Sequence, residues 1–254
     1  MKVSIIIPTN NVKKINKLIN SYSTLLKFKK ISELIVIGNG EVYEKDIKNK
    51  KEIKFIRFEE EFDIIPFVEL RGVGIEQSIG ENLLFLDDDH CFMKGSDSFL
   101  IDCVDFLDKH NECGVLELKK KNVAKKGFYI KRNAHIWTDR GLFMRNIFVK
   151  DEIKSFYKYV GACEDLIYSY EVLNNSYIPY EIHNSPISRK SEVSNRYKEF
   201  NHPSYSKELL NLNVIGFIKY KYNDKDWKFY GSLNSLEYPR HLKNLIKSRL
   251  SNLI

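Results

Sequence analysis

The sequence VSIIIP at residues 3–8 is apolar, mostly β-branched and closed by proline, which marks it as a short strand buried on both faces. Two more runs of this kind follow, LIVIG at 34–38 and NLLFL at 82–86, and KEIKFIRF at 51–58 reads as a further strand between them. Helical patterns separate them. In KKINKLINSYSTLLKF the residues Ile15, Leu18, Ile19, Tyr22, Leu25 and Leu26 recur on one helical face, and VELRGVGIEQSIG reads as a second helix ending near Gly80. Strand, helix and strand alternating at this interval demand right-handed crossovers and an open, mostly parallel sheet. In such a sheet ligands bind beyond the carboxyl ends of the strands. Thr9-Asn10, Gly38-Asn39 and Asp87-Asp88-Asp89 all fall at those ends, so one crevice is expected to collect them.

The pattern continues with a helix in DSFLIDCVDFLDKH, strands in CGVLELKK and KGFYIKRN, a helix in GACEDLIYSYEVLNN and a short strand ending at His183. Residues 191–254 change in character, with eleven Lys and Arg against six Asp and Glu, a local excess of five in a chain whose net charge is +7. A balance of this kind suits anionic partners such as nucleotides or phosphorylated carriers. Leu242, Leu245, Ile246, Leu250 and Leu253 share a helical face ringed by Arg240, Lys243, Lys247 and Arg249. A basic amphipathic helix at 240–254 can lie on an anionic membrane, although packing on its own domain or a second subunit is the commoner use. The aromatic and basic stretch GFIKYKYNDKDWKFYG is read as an edge hairpin or a groove lining rather than a nucleic-acid site. Cys91, Cys103, Cys113 and Cys163 form no C-x-x-C pair, so reduced thiols in a cytoplasmic protein are expected. The apolar stretch after Lys2 is too short for a signal peptide, and no window is long and apolar enough to span a bilayer.

Asp87, Asp88 and Asp89 pose a physical question, because adjacent carboxylates repel. A calcium loop starting at Asp87 requires an oxygen ligand, glycine and glutamate where the chain has Cys91, Phe92 and Ser98. A solvated acidic turn is out of place behind so apolar a run. A divalent cation such as Mn²⁺ or Mg²⁺, sharing the carboxylates with a nucleotide, relieves the repulsion best. His90 is expected to point away from Asp89 if the strand continues, and so to stay out of the metal site.

With these segments in view, VSIIIPTNN, RGVGIEQSIGENLLFLDDD, GACEDLIYSYEVL and EIH resemble, in order and spacing, the family 2 glycosyltransferases of the GT-A fold. The resemblance covers about residues 1–190. It implies a Rossmann-like α/β/α sandwich whose nucleotide-sugar half is about 1–95 and acceptor half about 96–190, followed by the basic extension 191–254. It implies nucleotide contacts from Pro8, Thr9, Asn10, Asn39, Arg71, Asp87 and Asp88, a metal held by Asp89 and reached by His183, Asp165 as catalytic base and Glu164 beside the acceptor. It also implies an inverting transfer from a nucleotide-diphosphate sugar, UDP-sugar foremost, to a glycan, polymer or lipid-linked acceptor, with the protein in the cytoplasm or at the inner face of a membrane.

The chain departs from the family's pattern twice. Gly38 stands where the family carries a base-reading aspartate, and Gly72 stands where it carries asparagine. The chemistry agrees with the resemblance: a metal stabilises the departing diphosphate, and a carboxylate at a helix start takes the acceptor proton. The Glu164-Asp165 pair also suits a helix N-terminus with no catalytic part, and a histidine such as His183 at a strand end is often only packed. Arg140 and Arg145 fall where the acceptor-side loop is expected. Two rivals stand beside this reading. One is an inactive domain that binds a glycan or nucleotide. The other is a sugar nucleotidylyltransferase, whose glycine-rich first loop is replaced here by PTNNVKK.

Overall fold

The computed structural model describes residues 2–22, 31–48, 53–59, 67–119, 127–130, 136, 141–146, 172, 177–189, 220–222 and 225–227. An eight-stranded sheet organises it. In chain order the strands and helices are β1 (Val3–Thr9), α1 (Val12–Tyr22), β2 (Ile31–Gly38), β3 (Ile53–Arg57), α2 (Phe67–Glu76), β4 (Asn82–Phe85), β5 (His90–Phe92), α3 (Ser96–Lys109), β6 (Cys113–Leu118), β7 (Gly127–Ile130), β8 (Leu142–Arg145), β9 (Ile178–His183) and β10 (Ile187–Arg189). Two more strands, β11 (Tyr220–Tyr222) and β12 (Lys225–Trp227), pair as an antiparallel hairpin, as the sequence suggests for that stretch.

The large sheet has the order β3-β2-β1-β4-β8-β6-β9-β7. Its first four strands are parallel. β8 runs antiparallel to both β4 and β6, which returns β6 to the direction of β4, and β9 is parallel to β6. The carboxyl ends of β1, β2, β4, β6 and β9 therefore open on the same edge. β7 is antiparallel to β9, so β7 and β8 run against the other six strands.

Side-chain alternation builds a core on each face. Ile5 and Ile7 of β1 and Leu84 of β4 pack with Ile15, Leu18 and Ile19 of α1 and with Leu100, Cys103, Val104 and Leu107 of α3. Ile6, Leu83 and Phe85 face the other way and pack with Leu70 and Ile75 of α2. The result is the expected three-layer α/β/α arrangement. Asn11 starts α1: its Oδ1 accepts the amide of Lys14 at 3.1 Å, satisfying a donor that the first turn leaves over. Gly74 lets α2 approach the sheet, since a Cβ there would stand 2.4 Å from Ile6 Cγ2.

Two expectations change in detail, and a third falls partly outside the described residues. β4 stops at Phe85 rather than running through the aspartates, and residues 88–89 form a turn. α1 is described as far as Tyr22, so Leu25 and Leu26 lie outside the described residues. Arg145, expected on a loop, ends β8, where its guanidinium donates to the carbonyls of Cys113, Leu107 and His110. It thereby ties the end of α3 to the start of β6 and is spent on structure.

Candidate functional site

The aspartate turn follows β4 at the carboxyl edge, and each carboxylate meets a different partner. Asp87 continues the alternation of Leu83 and Phe85 toward α2 and takes a 2.7 Å hydrogen bond from Arg71 Nη2. Arg71 is 1 % exposed and Asp87 5 %, so this is a buried ion pair. Asp88 turns toward β1, where Thr9 Oγ1 donates to its Oδ2 at 2.7 Å. The same Thr9 hydroxyl accepts the amide of Asn11 at 3.0 Å, which fixes the hydroxyl between the first loop and the turn. Burial pushes the Asp88 carboxyl up to about 6, an effect that the Thr9 hydrogen bond only partly offsets. Asp89 sits beside His90, with Oδ1 3.5 Å from Nδ1.

His90 departs from the sequence reading. The alternation argument holds only while a strand continues, and the turn at 88–89 folds His90 back under the carboxylates. Its Nδ1 lies 3.1 Å from both the amide and the carbonyl of Asp87. Its Nε2 is buried and has no hydrogen-bond partner among the described residues. Ligand atoms of Asp87, Asp89 and His90 lie within 4.8 Å of one another. Three carboxylates less the Arg71 guanidinium leave a formal charge of −2 in one turn. Two carboxylates, an imidazole and that deficit suit a hard divalent cation such as Mg²⁺ or Mn²⁺ that keeps further positions for phosphate oxygens and water.

The first-strand residues line the same edge. Pro8 and Thr9 close β1, Thr9 is buried and Asn10 is exposed. The amide of Asn39 donates to the Thr9 carbonyl at 2.9 Å, joining the loops after β1 and β2. At Gly38 the structure accounts for the missing aspartate. A Cβ there would stand 2.6 Å from the Phe55 ring, so Phe55 occupies the space a side chain would need. Arg71 backs Asp87 from behind the turn, inside the core. Glu164 and Asp165 lie outside the described residues, as do Arg140 and the helix expected at 161–175 apart from Val172.

At the far half of the same edge stands a second polar cluster, which sequence reading caught only at His183. Glu117 and Lys119 of the β6 end, and Glu181 and His183 of β9, lie two residues apart in each strand and so share a face. It is the α2 face, because Val115 of β6 packs in that core. Lys119 Nζ bonds Glu117 and stands 3.8 Å from Glu181 Oε2. His183 Nε2 is 2.9 Å from Glu181 Oε1. His183 is absent from the group formed by Asp87, Asp89 and His90. Its strand stands three places from β4, about 14 Å by ordinary strand spacing. The signal for this cluster was the E-L-K of 117–119 and the E-I-H of 181–183, each with a charged or polar pair at strand period.

No protein-family model and no curated protein matches the sequence. Solved structures do. S. aureus TarS 1-349 in complex with UDP-GlcNAc is 20% identical with a TM-score of 0.62, over 98% of this chain and 71% of that one. Mannosyltransferase PcManGT from Pyrobaculum calidifontis, in complex with GDP-Man and Mn²⁺, is 14% identical with a TM-score of 0.63, over 98% and 74%. CMP:2-keto-3-deoxy-manno-octonic acid synthetase complexed with CTP is 10% identical with a TM-score of 0.50, over 84% and 99%. Among the described residues no helix is long and apolar enough to cross a membrane. The sheet order, the three layers and these likenesses agree on the architecture: the chain has the GT-A fold, a mixed α/β sandwich with a mostly parallel central sheet.

Proposed function

We propose that the protein transfers a sugar from a nucleotide-diphosphate sugar, a UDP-sugar foremost, to a hydroxyl of a glycan, polymer or lipid-linked acceptor, as an inverting, metal-dependent glycosyltransferase of the family 2 type. One observation carries the reading: Asp87, Asp89 and His90 converge in a turn of charge −2 at the carboxyl edge of a GT-A sheet. The two fold neighbours TarS and PcManGT hold UDP-GlcNAc and GDP-Man. The nucleotidylyltransferase rival shares the fold, but PTNNVKK after β1 has no glycine with which to wrap a triphosphate.

In this reading Asp89 holds a Mn²⁺ or Mg²⁺ ion, which when bound neutralises charge on the departing diphosphate. Pro8, Thr9, Asn10 and Asn39 receive the nucleoside along the loops after β1 and β2. Asp87 and Asp88 face the ribose, with Arg71 fixing Asp87 and Thr9 fixing Asp88. Asp165 takes the proton of the acceptor hydroxyl as its oxygen bonds to the anomeric carbon and the bond from that carbon to the diphosphate breaks. Glu164 holds the acceptor, and His183 serves the metal or the sugar. The extension 191–254 packs on the catalytic domain in this reading, and the helix expected at 240–254, which lies outside the described residues, would meet an anionic surface if the acceptor is lipid-linked. The proposed place of action is the cytoplasm or the inner face of a membrane.

The test separates binding from chemistry. UDP release from a UDP-sugar is followed for the native protein and for Asp165→Asn. Loss of a general base predicts a fall in turnover of about 10²–10⁴-fold with UDP binding unchanged. Full activity in Asp165→Asn would remove the assigned base. Tight UDP-sugar binding with no turnover in the native protein, across acceptors, would favour the inactive binding domain.

A further inference from the structure

At the carboxyl edge a cation stands beside the place where the resembled family has an acid. Thr9, Gly38 and Arg57 are Cα partners across β1, β2 and β3. Two residues earlier Ile7, Val36 and Phe55 pack in the core on the α1 face. Alternation therefore sets all three on that face, with Asp88 bonded to Thr9 at the end of the row. Gly38 brings no side chain, and the Phe55 ring closes the space beside it. Asn39 spends its Oδ1 on the amide of Gly40 and is 9% exposed. The next side chain in the row is Arg57. Its Nη1 donates to the Val42 carbonyl at 3.2 Å, and its guanidinium lies 4.7 Å over the Tyr43 ring, so the loop after β2 holds its plane. No carboxylate pairs with it among the described residues. Arg57 is half-buried and Tyr43 is 46% exposed. A guanidinium carries five N–H donors and no acceptor, so most of its donors face outward from this anchorage.

We propose that Arg57, held in plane by Val42 and Tyr43, is the base-reading residue of the nucleotide site, and that it sets a donor where the resembled family has the acceptor at 38. The proposal deepens the glycosyltransferase reading and rests on it for the nucleotide. The polarity of recognition then reverses. An aspartate selects a base by its ring N–H, whereas a guanidinium selects it by carbonyl oxygens. Uracil offers carbonyls and adenine offers none, so Arg57 favours UDP over ADP although the two share ribose and diphosphate. Arginine keeps its charge at every working pH, so this preference does not titrate.

Isothermal titration of the full chain with UDP and with ADP, each with Mn²⁺, reads the ratio of their Kd values. The native protein is expected to bind UDP about 10-fold or more tighter than ADP, the yield of one hydrogen bond to a charged group. Arg57→Met is expected to weaken UDP by that factor, to leave ADP as it was and to bring the ratio near one. Arg57→Lys keeps the charge but not the planar fork, and its ratio should fall between. Melting points establish that each variant is folded. An arginine that only tied down the loop would weaken both nucleotides alike. A native preference for UDP kept in Arg57→Met, or an equal loss of both nucleotides, overturns the proposal, as does a native protein that binds ADP as tightly as UDP. A native protein that binds no nucleotide overturns the donor reading and this assignment with it, so the two failures are distinct.

Discussion

Asp88 shows how one residue can register the charge of the whole turn. Burial disfavours the charged form and pushes its carboxyl from an ordinary 3.8 up to about 6. Folding therefore favours the protonated acid. Its contribution to stability is full below about pH 4 and is lost as the pH rises through about 6. Asp88→Asn is expected to flatten this part of the stability profile and, after allowance for solvent screening, to stabilise the metal-free protein near pH 7 by about 1–2 kcal/mol. Urea midpoints across that range, with chelator present, check it; an unchanged slope would count against the raised carboxyl. Arg71 makes the complementary case. Arg71→Met leaves Asp87 buried without its guanidinium and should cost about 3–5 kcal/mol, whereas Arg71→Met with Asp87→Leu should recover most of that loss. Equal stability of the single and double variants would mean that the pair is not what holds Asp87. The sequence reading gave Arg71 a nucleotide contact, whereas the structure shows it buried against Asp87, because only packing tells whether an arginine faces outward or a neighbouring carboxylate.

At the scale of elements, strand ends carried the errors and strand interiors did not. VSIIIP, LIVIG and NLLFL were readable because continuous apolar runs have one use in a sheet buried on both faces. The turn after β4 was hidden, since three aspartates at a strand tip read equally as strand or turn, and His90 was misplaced with it. β8 was hidden too, as LFMR is four residues long and the resemblance put an acceptor-side loop there. Arg145→Met should free the three carbonyls that its guanidinium serves and destabilise the join between α3 and β6 by about 1–3 kcal/mol, measured by urea unfolding. No change would show that water replaces the guanidinium without loss. Gly38→Asp, which restores the residue usual in the resembled family, should destabilise by about 1–3 kcal/mol through the clash with Phe55. Combining it with Phe55→Ala should cost less than the sum of the two changes. Strict additivity would remove Phe55 as the reason for glycine there.

For the molecule as a whole, the direction of the strands brings the chemistry together. β8 reverses and β6 reverses again, so the aspartate turn after β4 and the histidine cluster after β9 share one edge although their strands stand three places apart. Alternation and the carboxyl-edge rule made the nucleotide-type half legible from residues alone. In the other half β6, β7 and β9 were readable as runs at 113–118, 127–130 and 178–183, whereas the roles of Glu164 and Asp165 came only from the resemblance and both lie outside the described residues. The most direct measurement is a thermal-shift series of UDP, GDP, dTDP and CMP, each with and without Mn²⁺, on the native protein and Asp89→Ala. A ligand that binds only the folded state must raise its melting point. The account predicts a rise for one nucleotide, UDP foremost, that requires Mn²⁺ and is absent in Asp89→Ala. A rise that persists unchanged in Asp89→Ala, or no rise with any nucleotide in a folded protein, would contradict it.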